Sequence, residues 1–379
     1  MDESHPISRR QFLKGSAAVA VGAPYILRTS WAAPDRPSPS NRINMGCIGF
    51  RNMGGQHVKT LANEKSVQVV ALCDVDAAVL KGGKDVVEKA YAAQIKSGSY
   101  KGVATYNDFR ELLGRDDIDA VMIATPDHWH IPIGIAAIKA GKDTYIEKPL
   151  TLTIAEGRAL SDAVRRYGRV HQTGSQQRSS IRYRYACELV RNGRIGALKT
   201  IRVQLPSSKT MGPVPPEPVP PGFDYEMWLG QAPWAPYHPA RCHYNFRFNL
   251  DYSGGQVTNW GAHDLDIAQW GNGTDLSGPT EIEGTGEFPR EGLYNTATKV
   301  DVRFKYANGV ELTFQTGPSG VRFEGTEGWV YVNRGTLDAE PKSILTSVIG
   351  PNEIHLYDSR NHWGNFLECV RTRQTPIAS

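Results

Sequence analysis

Cysteine is scarce in this chain and follows no pattern. Cys47, Cys73, Cys187, Cys242 and Cys369 are odd in number and contain no C-x-x-C pair, which argues against a disulfide framework or a cysteine zinc site. Cys47 and Cys73 fall in strand-like runs, where a thiol acts as a small apolar group. Charge of one sign is also lacking. The formal net charge is +4 over 379 residues, and half of it comes from Arg9, Arg10, Lys14 and Arg28 set against Asp2 and Glu3. The remainder gives no electrostatic footprint for a nucleic-acid partner. Beyond the N-terminal segment no apolar run approaches the ~20 residues of a membrane-spanning helix, and there is no internal repeat or long charge run. With 40% hydrophobic residues the chain reads as globular and long enough for two domains.

What is present begins at the N-terminus. Ser8-Arg9-Arg10-Gln11-Phe12-Leu13-Lys14 precedes a mildly apolar run to Leu27 and a small-residue stretch ending at Ala32. This is the pattern of a twin-arginine export signal, with cleavage expected after about Ala32 and a periplasmic or otherwise exported product. Residues 33–42 then read as a linker.

From Ile43 short β-rich runs alternate with helical stretches: RINMGCIGF, VQVVALCD, DAVMIAT and DTYIEK are separated by helices, among them one through VVEKAYAAQI and one beginning near Thr153. Asp108 and Glu111 in NDFRELLG have capping-box spacing. Strands alternating with helices predict an α/β domain with a doubly wound parallel sheet over 43–165. In the second half LKTIRVQL, TKVDVRFKY, VELTFQTG and GWVYVNR predict a mostly antiparallel sheet in a second domain, 166–379. PSSKTMGPVPPEPVPPG carries seven prolines in residues 206–221 and reads as a stiff loop rather than regular structure.

The stretch IGFRNMGG, residues 48–55, places Gly49 and Gly54 at the outer positions of a G-x-G-x-x-G dinucleotide turn, with Arg51 where the central glycine belongs. It follows a strand and opens a helix, and Asp74 ends the next strand, where a carboxylate accepts the ribose hydroxyls of NAD and repels the 2′-phosphate of NADP. Gly49, Phe50, Arg51, Asn52, Met53, Gly54 and Asp74 are therefore the candidate nucleotide residues. A side chain at 51 has a steric cost, about 1 to 2 kcal/mol if φ is positive there, comparable to the about 1.5 to 3 kcal/mol of a guanidinium–phosphate hydrogen bond. The expected cofactor is NAD, with NADP as the alternative that Arg51 leaves open.

At ATPDHWHIPIGIAAIKAGKDTYIEKPLTLT, residues 124–153, and GGQVTNWGAHDLD, residues 254–266, the chain resembles the Gfo/Idh/MocA oxidoreductases, the family of glucose-fructose oxidoreductase and inositol dehydrogenase. It is most similar to an exported, sugar-associated branch. The resemblance implies a Rossmann domain followed by an α/β domain with an open, mainly antiparallel sheet, a carbohydrate substrate, and a homo-oligomer. It also implies that Thr125, Pro126, His130, Glu147 and Gln176 line the cofactor, and that Lys148 and His263 are catalytic. A desolvated lysine beside a hydride acceptor suits removal of a hydroxyl proton; without the resemblance Lys148 would read as a surface lysine. Many relatives carry aspartate where this chain has Asn259, which hydrogen-bonds a sugar but takes no proton. Trp129, Arg178, Tyr244, Arg247, Asn259 and Trp260 are the expected substrate-facing residues with His263, while Asp264 and Asp266 either orient His263 or cap a helix.

His128, His130 and His263 lack the spacing of a zinc motif, and no metal is expected. Relatives usually continue with another helical segment after HWGNFLECVRTRQTP, so a C-terminal piece is expected to be missing here. The leading reading is an exported nicotinamide-dependent oxidoreductase acting on a sugar hydroxyl with tightly bound cofactor. The alternatives are a redox-neutral glycosidase or lyase of the same fold, and a non-catalytic sugar- or nucleotide-binding relative.

Overall fold

The computed structural model describes residues 41–379, so the twin-arginine segment and most of the linker lie outside the described residues. Residues 42–379 form one compact unit containing two sheets.

The first sheet has six strands: β1 (Ile43–Ile48), β2 (Val67–Cys73), β3 (Ala104–Tyr106), β4 (Ala120–Ile123), β5 (Asp143–Ile146) and β6 (His171–Thr173). They lie in the order β3-β2-β1-β4-β5-β6, every pairing parallel. The strands are short and apolar because both faces are covered. Met45, Cys47, Val69, Leu72, Val121 and Met122 are all buried. The sheet runs past residue 165, where the sequence placed the domain boundary, because His171–Thr173 still pairs with β5. Helix Ile154–Tyr167 shows how local signals fix the ends: Thr153 and Glu156 form a reciprocal capping box, and Gly168 closes the helix at φ 59°. The helix expected through VVEKAYAAQI is broken at Tyr91 into Ala77–Ala90 and Ala92–Lys96.

The second sheet is mixed and mostly antiparallel. It comprises β7 (Leu198–Leu205), β8 (Glu281–Glu287), β9 (Lys299–Lys305), β10 (Glu311–Thr316), β11 (Gly320–Gly325), β12 (Trp329–Val332) and β13 (Leu337–Glu340). Their order is β13-β12-β11-β7-β10-β9-β8, and only β7 and β10 run parallel. Helices Ile181–Arg191 and Gly261–Asn272 share one core with it through Cys187, Leu189, Ile267 and Trp270. Gly271 permits that approach, since a Cβ there would sit 2.4 Å from the Phe323 ring.

Two connections tie the halves together. The proline-rich loop has no regular structure, as its composition demands, and its exit docks on the end of β2: Asp224 N–H donates to Val75 O at 2.8 Å, and Ala77 N–H to Gly222 O. At the C-terminus, helix His362–Thr372 returns to the parallel sheet, where Trp363 stacks on Tyr145 with centroids 4.0 Å apart and Phe366 joins the core. The last residues are packed as well: Ile377 is buried, and Thr173 N–H donates to Ala378 O at 2.8 Å.

Candidate active site

In a doubly wound sheet the binding crevice opens beyond the carboxyl ends of the strands, where strand order reverses. Here that point lies between β1 and β4. Each candidate residue of the first domain follows a strand end: Gly49 after β1, Asp74 after β2, Thr125 after β4, and Glu147 and Lys148 after β5. Together with loops of the second half they line a cavity of about 490 Å³, within the usual size of a small-molecule site.

The β1 turn has the close packing of a nucleotide cradle. Gly49 adopts φ 72°, and a Cβ on it would lie 2.9 Å from Thr125 N; a Cβ on Gly54 would lie 2.4 Å from Gly49 O. The helix that follows, Met53–Asn63, has no side-chain cap at its N-terminus, leaving that end open to an anion. Positive φ falls on Asn52, at 47°, and not on Arg51. The backbone cost considered at 51 therefore does not arise there; the positive φ falls on its neighbour, with ψ −112°.

Arg51 points along the edge of the cavity to Asp76, 2.7 Å away. Asp76 also caps helix Ala77–Ala90; burial alone would raise its carboxyl, but Arg51 and the N–H groups of Val79 and Ala78 together hold it below the usual range. Asp74 accepts Phe50 N–H on Oδ2 at 3.1 Å and Asp76 N–H on Oδ1 at 3.0 Å. Burial pushes its pKa up to about 6 against those two bonds. Phe50 turns its ring onto Gly83, so its part in the cavity is largely backbone.

The middle of the cavity is a network around the β5 end. Glu147 is buried, and its Oε1 accepts from Gln176 Nε2 at 2.6 Å and meets His57 Nε2 at 2.8 Å. Trp363 Nε1–H donates to His57 Nδ1 at 3.1 Å, which fixes the His57 proton on Nε2 toward Glu147. Burial works against the Glu147 charge, but His57, Lys148 and Gln176 together bring its pKa below the ordinary value. His130 bridges Thr125 O at 2.9 Å and Pro149 O at 2.8 Å, tying the β4 loop to the Lys148-Pro149 segment. Pro126 starts helix Asp127–Lys139. Inside that helix Pro132 has no N–H for His128 O, which accepts from Gln231 instead.

Lys148 Nζ donates to Asn259 Oδ1 at 2.7 Å and Asn259 O at 3.2 Å. Burial lowers its pKa; Arg247 and Arg334 add to that, while Glu147 and Asp127 oppose it. Arg247 reaches the same Asn259 oxygen at 3.0 Å with its guanidinium over the Tyr244 ring at 3.9 Å. His263 is buried beside them, its Nδ1 without a partner among the described residues. Burial, then Lys148 and Arg334, push its pKa down to about 3. It is a neutral imidazole facing the cavity rather than a readily protonated base. Trp129 and Trp260 line the same region, although the Trp129 indole N–H is committed to the carbonyls of Met227 and Trp228.

One expectation fails on geometry, and one branch of an alternative drops out. Arg178 does not reach the cavity; it makes a bidentate pair with Asp266 at 2.8 and 2.7 Å and lies over Trp270. That pair uses Asp266, and Asp264 accepts from Ser319 Oγ at 2.7 Å, so neither carboxylate orients His263. The cavity also includes residues not singled out from sequence. Asp76 was foreshadowed by the D-x-D after β2. Asp127 lay inside the quoted DHWH motif. Arg334, in the turn between β12 and β13, carried no sequence signal.

The residues fit a dinucleotide at the cradle end: two glycines whose Cβ atoms would collide, an uncapped helix start, and a carboxylate at the β2 end. Among the described residues no cluster of histidine, cysteine or carboxylate side chains is arranged to hold a metal, and no helix is long and apolar enough to cross a membrane.

Comparison with known proteins agrees with this architecture. Residues 43–175 match an oxidoreductase-family NAD-binding Rossmann fold, and residues 207–377 match the same family's C-terminal alpha/beta domain. Residues 6–23 match a twin-arginine translocation signal, so the chain carries the signal for export by that route. An alpha-N-acetylgalactosaminidase from Shewanella oneidensis is 34% identical over 180 residues, and a glycosyl hydrolase family 109 protein from Shewanella baltica is 32% identical over 179. Each alignment covers 43% of this chain and 38% of the relative, so the chain spans about two fifths of the length of the curated relatives it matches. Among solved structures, an aldose-aldose oxidoreductase from Caulobacter crescentus superposes with a TM-score of 0.62 at 19% identity, over 89% of this chain and 92% of that one. A levoglucosan dehydrogenase in complex with NADH and levoglucosan superposes with a TM-score of 0.62 at 17% identity, over 88% and 91%. With both domains matched in order, this chain belongs to the Gfo/Idh/MocA oxidoreductase family and has its NAD-binding Rossmann fold.

Proposed function

We propose that this protein is an exported, NAD-dependent oxidoreductase acting on a hydroxyl of a sugar or sugar derivative. The observation that carries the reading is Lys148: a partly buried amine at a strand end beyond the nucleotide cradle, with its pKa lowered and Asn259 as the only hydrogen-bond partner of its Nζ among the described residues. Bound NAD would supply a hydride acceptor at the sugar carbon, held by the backbone of residues 49–54 with its ribose toward Asp74.

The chain's own residues supply the rest. Neutral Lys148 takes the hydroxyl proton onto Nζ, a role its depressed pKa favours. Once protonated, Nζ is held by the two Asn259 oxygens at 2.7 and 3.2 Å. Asn259 cannot relay that proton, so it orients. His263, with its pKa near 3, serves as a neutral hydrogen-bond partner to the substrate in place of an acid. Trp129 and Trp260 offer aromatic surface to a sugar face. Asp74 and Asp76 put two carboxylates at the ribose end, and Asp76 neutralises Arg51; this favours NAD over NADP.

The names of the sequence relatives favour a second reading, a redox-neutral glycosidase or lyase in which the same hydroxyl is oxidised transiently and restored. Export through the twin-arginine route suits a cofactor loaded before crossing and retained through turnover. One experiment separates the readings. Mature protein is denatured to identify released nucleotide, and the native protein, dialysed extensively, is assayed on free sugars and aryl glycosides with and without added NAD. Stoichiometric sugar oxidation that needs added NAD supports the oxidoreductase. Aglycone release without added NAD supports the second reading. Protein that binds no nucleotide and turns over neither class overturns both.

A further inference from the structure

The sugar-facing end of the cavity holds more positive charge than the protein itself matches. Arg247 spends one N–H on Tyr244 O at 2.7 Å and one on Asn259 Oδ1 at 3.0 Å, and makes no ion pair among the described residues. Three of its five N–H groups are unspent. Arg334, an exposed residue at the cavity mouth, makes no side-chain hydrogen bond or ion pair among them; its guanidinium lies over the Trp260 ring at 4.5 Å. The two arginines thus flank consecutive residues, Asn259 and Trp260, and both are near enough to Lys148 to depress its pKa. By contrast Arg51, Arg178, Arg194 and Arg373 each meet a carboxylate, of Asp76, Asp266, Glu353 and Asp143 respectively.

The carboxylates at this end do not neutralise them. Glu147 is engaged by His57, Gln176 and the Lys148 backbone. Asp127 makes no ion pair within 4 Å among the described residues; it acts on Arg247 and Lys148 only across a longer distance, and burial pushes its carboxyl above the usual range. Asn259, which accepts from both Lys148 and Arg247, is neutral. A cofactor's phosphates belong with the cradle at residues 49–54. Arg247 and Arg334 stand instead with Lys148, where the reacting hydroxyl would be. Guanidinium forks bind oxyanions through paired, charge-assisted hydrogen bonds.

We propose that the sugar taken by this cavity carries an anionic group, a uronic carboxylate or a sulfate ester, held by the unspent N–H groups of Arg247 and Arg334 while Lys148 faces the hydroxyl. The proposal rests on the reading of the cavity as a sugar site and names the substrate class for it. A neutral sugar would leave both guanidiniums solvated and contribute nothing to match them.

Calorimetric titration of the NAD-loaded protein with matched pairs tests it: methyl glucoside against methyl glucuronide, methyl galactoside against methyl galacturonide, and N-acetylgalactosamine against its 6-sulfate. At least one anionic member is expected to bind about tenfold or more tightly than its neutral twin. That ratio should shrink between about 50 and about 500 mM NaCl and fall toward one in Arg334→Gln and Arg247→Gln. The uronide and sulfate arms tell the two oxyanions apart. Equal or tighter binding of every neutral member, a preference that survives both substitutions, or no binding in any pair overturns the proposal. Turnover of neutral sugars without charge preference would leave the oxidoreductase reading standing while this inference falls. Charge-selective binding without turnover would do the reverse.

Discussion

The two ends of the cavity are built from different materials. At the nucleotide end the work falls to main chain: a turn closed by Gly49 and Gly54, an uncapped helix start, and two aspartates tied to nearby N–H groups. The cation there, Arg51, has a carboxylate partner. At the Lys148 end, where we propose the sugar binds, the work falls to side chains gathered from distant loops, and the cations Arg247 and Arg334 make no ion pair among the described residues. A backbone cradle recognises what every dinucleotide shares. Side chains on loops recognise what distinguishes one sugar from another, which is why loops on a fixed scaffold carry specificity.

That contrast can be broken at the sugar end first. Lys148→Ala is expected to lower kcat/KM by about 10²- to 10⁴-fold, the span of a positioned proton-transfer group, while the dissociation constant for NAD, read by fluorescence titration, changes little. Unchanged turnover would remove Lys148 from the mechanism.

The next effect in size belongs to the cradle. Gly54→Ala places a Cβ against Gly49 O, a contact of 2.4 Å that the turn must open to relieve. NAD affinity should fall about tenfold or more, with about 1 to 3 kcal/mol lost in denaturant unfolding as the overpacked turn shifts. Wild-type affinity would mean that the turn does not hold the dinucleotide.

A pH profile sharpens the difference in charge. Lys148 must be neutral to take a proton, so kcat/KM rises with pH through its pKa. Because burial, Arg247 and Arg334 depress that pKa, the midpoint should lie below the ordinary lysine value of about 10.4. Arg247→Gln removes a nearby positive charge and should move the midpoint upward. A midpoint that stays fixed or moves down would show that Arg247 does not act on Lys148.

The smallest effect is expected at Arg51. Its guanidinium is half exposed and already paired, so Arg51→Gly should change NAD binding by no more than about 1 kcal/mol, the scale of an exposed ion pair. A larger loss would show that Arg51 leaves Asp76 to hold phosphate, and would reopen the question of NADP.

Legibility followed the same division. The alternation of strands and helices from Ile43, the glycine turn and the aspartate ending β2 are short-range patterns, and they located the parallel sheet and its cradle. Thr153 marked a helix start. Arg178 was misread because its partner Asp266 lies 88 positions away, a distance across which sequence carries no pairing rule. Arg334 was missed because an arginine in a turn looks the same whether it meets solvent or a cavity. The positive φ considered at Arg51 fell on Asn52 because the neighbouring φ angles were set by how the turn closes on Thr125.

By itself the sequence determined the fold class, the export signal, the nucleotide turn, and the strand end that carries Lys148, since each is written within a few residues by periodicity, capping chemistry or glycine placement. Only the tertiary structure decided which charges meet. It set Arg51 against Asp76, turned Asp264 and Asp266 away from His263, and brought Arg247 and Arg334 to the two sides of Asn259 and Trp260. The physical reason is that hydrogen bonds and charge pairs act over a few ångströms in space, and folding brings within that range residues that the chain keeps dozens to hundreds of positions apart.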